Sequence, residues 1–64
     1  MIIKLNKSIV EPIYIDSNNI TYFRALLREI GSYVGCKYPI EGRTWITVIE
    51  SPEEIMAILN RTSP

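Results

Sequence analysis

Three carboxylates, Glu50, Glu53 and Glu54, stand close together in the sequence. Acid–base catalysis needs two such groups placed about a reacting bond, one protonated and one ionised. No neighbouring residues would build a pocket or position a substrate, so the three read as the solvated start of a helix. Cys36 is the only cysteine. A nucleophilic thiol needs a nearby base or cation to ionise it. Its neighbour Lys37 points the other way along an extended chain, which leaves Cys36 buried, reduced and inert. There is no histidine, hence no ordinary general base near neutral pH and none of the commonest metal ligand. Dinucleotide-binding, phosphate-loop and H-E-x-x-H patterns do not occur. The expectation is a chain with no catalytic residue, no cofactor, no metal and no small-molecule substrate.

What remains is contact chemistry. Trp45, the sole tryptophan, follows Arg43 closely and lies within reach of Lys37 on a neighbouring strand. Such a residue stacks a base, anchors a partner or simply packs in a core or interface. The stretch Pro39-Ile40-Glu41-Gly42-Arg43 has a single glycine and is a weak ligand loop. Seven basic residues balance seven acidic ones. Lys4, Lys7, Arg24, Arg28, Lys37, Arg43 and Arg61 are scattered, whereas nucleic-acid binders carry a basic excess or stripe. Nucleic acid is therefore the disfavoured partner. The rival reading, a small nucleic-acid-binding regulator, would use Arg24, Arg28, Lys37, Arg43 and Trp45.

The elements that position these residues must come from 64 residues, which is one domain over 1–64. A chain of this size buries about 60% of the surface its unfolded form exposes, so it is marginal alone. No segment approaches the roughly 20 apolar residues of a membrane span. The start, Met-Ile-Ile-Lys-Leu-Asn-Lys, lacks the apolar run of a signal peptide. With a lone thiol, this points to the cytoplasm.

Ile2 to Leu5 reads as a strand with Ile3 and Leu5 on one side. Asn6 to Ser8 reads as a turn. Pro12 to Ile15 reads as a strand with Ile13 and Ile15 inward and Tyr14 outward. Asp16 to Asn19 breaks the chain. For 20–30 two readings stand. Ile20, Phe23, Leu27 and Ile30 follow helical spacing, with Ser17 or Asn18 and Gly31 as caps. Ile20 to Phe23 also has strand residue types. Tyr33 to Tyr38 and Thr44 to Glu50 form a hairpin across a five-residue loop. Pairing Tyr38 with Thr44 puts Cys36 opposite Ile46 and Val34 opposite Val48 on one apolar face. Ser51, Pro52 and Glu54 form a capping box with proline at the first helical position. Ile55, Ile58 and Leu59 give the apolar stripe of a helix from Pro52 to about Asn60.

The fold expected is α+β: a small antiparallel sheet of three to five strands with a C-terminal helix on one face, and a possible second helix at about 18–30. The face away from the C-terminal helix then holds Tyr33, Lys37, Trp45, Thr47 and Ile49, with Arg43 beside them. Aromatic and aliphatic residues on a solvent face mark a contact surface, unless a helix over 20–30 covers it. These six are the candidate interaction residues.

The order of elements and the run "TVIESPEEIMAIL" resemble the small FlbD-like proteins of flagellar and swarming-motility operons, and similar short phage or prophage proteins. Val48, Glu50, Ser51, Glu53, Glu54 and Ile55 match the end of that pattern, and Tyr14, Asp16 and Ile20 its middle. The stretch Arg24 to Lys37 is longer than the family's hairpin allows. The resemblance moves 20–26 towards strand and leaves helix and strand evenly placed. It implies a non-enzymatic bacterial or phage-encoded accessory protein that works through contact. The partner would be another protein, either a second copy of itself (a homo-oligomer) or a host regulatory protein.

Overall fold

Alternation of apolar and polar side chains makes the first strand. In the computed structural model, which describes residues 1–62, β1 (Ile2–Ser8) buries Ile3 and Leu5 and exposes Ile2 and Lys4. The domain expected over 1–64 is described to that point, and residues 63 and 64 lie outside it. β2 (Glu11–Asp16) returns antiparallel, setting Ile3 opposite Ile15 and Leu5 opposite Ile13. Tyr14 is exposed, as period-two alternation requires. Asn6 to Ser8 is not the turn. The strand runs on through a bulge between Asn6 and Ser8, and the chain reverses at Ile9 and Val10.

A three-residue 3₁₀ turn, Ser17–Asn19, follows. Asp16 caps it by accepting the Asn18 N–H at 3.0 Å. That bond, together with the N-terminal ammonium 3.2 Å away, holds the Asp16 carboxyl below its usual range.

No second helix forms over 18–30. After the turn come β3 (Ile20–Ala25), β4 (Ser32–Ile40) and β5 (Arg43–Val48), an antiparallel sheet in the order β3-β4-β5. A bulge at Thr21 separates the pairs Ile20–Cys36 and Tyr22–Gly35. The β4–β5 connection is tighter than a five-residue loop. Glu41 and Gly42 have φ of 52° and 79°, the paired positive values of the two-residue turn that suits strand twist. The pairing is also displaced by two residues from the expected one: Val34 faces Ile46, and Ser32 faces Val48. An even displacement keeps every side chain on its face, so Val34, Cys36, Ile46 and Val48 are all buried. The surplus is absorbed in β4, where residues 36–39 stand opposite Thr44 alone. Asn19 serves that irregular stretch as a substitute strand. Its amide oxygen accepts the Tyr38 N–H at 2.6 Å, and its nitrogen donates to the Tyr38 carbonyl at 3.2 Å.

Helix α1 (Pro52–Thr62) starts where the capping box places it. The Ser51 N–H donates to Glu54 Oε1, and the Glu54 N–H to Ser51 Oγ, both at 3.2 Å. Ile55 is fully buried, Ile58 and Leu59 partly. The helix packs against β1 and β3, bridging the hairpin and the sheet. The core therefore lies between the β1–β2 hairpin, the inner face of the sheet and α1. At about 1.5–3 kcal/mol per fully buried aliphatic side chain, Leu5, Val34, Val48 and Ile55 hold these layers together.

One polar seam joins hairpin to sheet. The Ile49 N–H donates to the Asn6 carbonyl at 2.8 Å. The Glu50 carboxylate, only 8% exposed, accepts the Asn6 N–H at 2.9 Å and the Asn6 side-chain amide at 2.6 Å. The fully buried Ser32 hydroxyl donates to the Glu50 carbonyl at 2.8 Å. Gly31, at φ 128°, passes so close that a Cβ there would strike the Val48 carbonyl.

Candidate functional site: an aromatic–basic sheet face

Strand parity that sends Val34, Ile46 and Val48 inward sends Tyr33, Trp45 and Thr47 outward. Tyr33 pairs with Thr47, and Gly35 with Trp45. Because Gly35 has no side chain, its neighbours close over it. The Tyr22 ring lies where a Gly35 Cβ would be, an aromatic covering a strand glycine. Tyr33 and Trp45 meet edge to face, 6.0 Å between centroids and 70° between planes. Arg24, opposite Tyr33 in register, places its guanidinium 5.0 Å from the Tyr33 ring centre. Arg43 does the same to Trp45 at 5.4 Å. The result is a row, Arg24–Tyr33–Trp45–Arg43, across the three strands of the open face.

The electrostatics of this face are one-sided. None of the three strands contains an acidic residue. Among the described residues, the carboxylate ion pairs engage only the N-terminal ammonium and Lys7. Arg24, Lys37 and Arg43 therefore keep uncompensated charge, softened only by aromatic faces. Each such cation–ring contact contributes about 0.5–1 kcal/mol at an exposed site, little enough for a partner's carboxylate to displace it.

Of the six candidate residues, the fold gathers Tyr33, Arg43, Trp45 and Thr47. Lys37 sits in the irregular part of β4, its ammonium 5.4 Å from the Tyr38 ring centre. Ile49 lies just past β5, 41% exposed, beside the seam. Tyr22 is absent from the sequence-derived set, and Arg24 appears there only under the nucleic-acid reading. Both follow from parity once 20–25 is a strand.

Beside Trp45 a cleft of about 290 Å³ opens between β1 and β5, lined by Lys7, Ile40, Glu41, Arg43, Trp45 and Thr47. Its lysine is already engaged, 2.7 Å from Glu41 and 3.5 Å from Glu11. The bond to Glu41 holds the Lys7 ammonium above its usual pKa, so the amine stays protonated. The three clustered carboxylates do not converge. Glu50 is bound to Asn6, Glu54 caps α1, and Glu53 is exposed. Burial pushes the Cys36 thiol up, away from the reactive thiolate. No helix among the described residues is long and apolar enough to cross a membrane, and no cluster of three potential acidic, Cys or His metal ligands occurs among them. Set against protein-family models, curated proteins and solved structures, the chain matches none of them.

Proposed function

We propose that the chain is a non-enzymatic protein-interaction module that docks an acidic segment of a partner protein on the outer face of β3-β4-β5. The observation that carries this reading is the Arg24–Tyr33–Trp45–Arg43 row on strands without a carboxylate. Tyrosine, tryptophan and arginine are the residues on which protein interfaces concentrate their energy. A balanced net charge and few cations favour a protein over a polyanion. The motif likeness of the strand-to-helix unit to FlbD-like and phage proteins supports an accessory, regulatory role in the bacterial cytoplasm.

Peptide selection from a random display library tests this reading directly. Asp/Glu-rich binders are expected, each weakened about tenfold or more by Trp45→Ala or Arg43→Ala, the loss of one interfacial anchor. Binders indifferent to both variants would overturn the assignment of the face. Rings interleaved with arginines on an open sheet also suit single-stranded nucleic acid. Titration with an oligothymidylate separates the two. Trp45-dependent binding that falls steeply with salt would transfer the face to nucleic acid.

A further inference from the structure

The loop between β3 and β4 carries Leu27-Arg28-Glu29-Ile30 at its tip. The Leu26 N–H donates to the Gly31 carbonyl at 3.1 Å, which closes the loop at its base. Leu26 is half-buried and anchors it. The tip is the opposite: Leu27 is 90% exposed and Ile30 87%. Two large aliphatic side chains thus stand almost fully in water on one short loop. Between them stand a cation and an anion, and neither makes an ion pair among the described residues.

The order apolar–positive–negative–apolar is self-complementary. A two-fold axis brings residue i of one copy to residue j of the other, and j to i. Centred between Arg28 and Glu29, it lays Leu27 against Ile30 of the partner subunit and Arg28 against Glu29 of the partner subunit, twice over. The other exposed aliphatic tip, Ile9 and Val10, lacks this property. Its neighbouring charges, Lys7 and Glu11, already pair with each other at 3.5 Å. We infer that the β3–β4 tip is a self-association surface whose partner is a second copy of this chain. The patch is small, well under the roughly 1,200 Å² of stable specific interfaces, so the dimer is weak and forms only at high concentration. This inference is independent of the outer-face reading, because Trp45 and Arg43 take no part in it.

The test is sedimentation equilibrium of the whole chain from about 10 μM to about 1 mM, a span that brackets weak association. The wild type is expected to pass from monomer towards dimer. Arg28→Glu or Glu29→Arg alone places like charges opposite one another at both symmetric contacts and should lower the association constant about tenfold or more. The double variant R28E/E29R restores opposite pairs and should recover association. Leu27→Ser with Ile30→Ser should abolish it. All four variants should keep the wild-type urea midpoint, since the tip contributes nothing to the core. A monomer throughout the range would overturn the inference. So would a double reversal no better than the singles, or association lost in Trp45→Ala but untouched at the tip.

Discussion

Removing the Glu50 carboxylate should be among the most damaging surface-to-core polar changes available in this protein. In Glu50→Ala, the Asn6 N–H and side-chain amide lose their acceptor together. Both lie in a partly buried seam. Hydrogen bonds to a charged group contribute about 1.5–3 kcal/mol, and a stranded donor costs about 1–3 kcal/mol. The two overlap in one pair of residues, so a net loss of about 2–3 kcal/mol is expected rather than their sum. A domain of this length holds about 3–10 kcal/mol in total. With a urea m-value near 1 kcal/mol/M for small proteins, the midpoint should fall by about 2–3 M. Glu50→Gln separates charge from geometry. Its amide oxygen can still accept the Asn6 N–H, and the Asn6 side chain can turn over to accept from the new amine. It should therefore cost about 1 kcal/mol, the charge assistance alone. Asn6→Ala removes one of the two bonds and should fall between them. In the double variant Asn6→Ala/Glu50→Ala the losses should be less than additive by about 1 kcal/mol. A Glu50→Ala midpoint within about 0.5 M of wild type would refute the claim that this seam ties hairpin to sheet.

Ser51→Ala removes the hydroxyl that caps Glu54 and should cost about 1 kcal/mol in urea denaturation; an unchanged midpoint would argue against the capping box as a source of stability. Gly35→Ala drives a methyl into the Tyr22 ring and should cost about 1–3 kcal/mol. Tyr22→Ala in the same chain should return part of that loss, so equal melting curves for the single and double variants would exclude the ring as the cause. The Asp16 carboxyl, lowered by its bond to the Asn18 N–H and by the terminal ammonium, stabilises the fold above its unfolded pKa of about 3.9. That contribution is lost as pH falls through the lower folded value. A carbon-detected NMR titration should therefore show Asp16 titrating below the ordinary aspartate value of about 3.9, and Asp16→Asn should flatten the acid limb of the stability curve.

Much of the core was legible from alternation alone. Ile3, Leu5, Ile15, Val34, Cys36, Ile46 and Val48 are buried as parity requires, and the capping box places the helix start correctly. Two features were hidden for a common reason, unpaired extra residues within a strand. The bulge at Thr21 resets the alternation, so Ile20 and Phe23 both pack on the core although an odd number of positions separates them. A spacing of three reads as helical, and Leu27 and Ile30 extend that pattern by coincidence, since both stand in water. In β4 four residues stand opposite Thr44 alone, and the inner pairs settle two residues from the expected register, which leaves Val34, Ile46 and Val48 on their expected face. The outer face was half legible. Tyr33, Trp45, Thr47 and Arg43 follow from the hairpin, whereas Tyr22 and Arg24 require β3, which the ambiguous stretch concealed.

The seam also sets an order of events in folding. Asn6 and Glu50 are 44 positions apart in the chain, so their bonds form only after a long loop has closed. Closure entropy rises slowly with loop length, but none of the seam's energy is available until it has been met. The hairpin and the sheet can each zip locally; their union must wait. On a ribosome the first hairpin emerges with Ile3, Leu5 and Ile15 uncovered and keeps them so until residue 50 has left the exit tunnel. The same separation predicts a slow folding limb, with Glu50→Ala accelerating unfolding far more than it retards the earliest collapse.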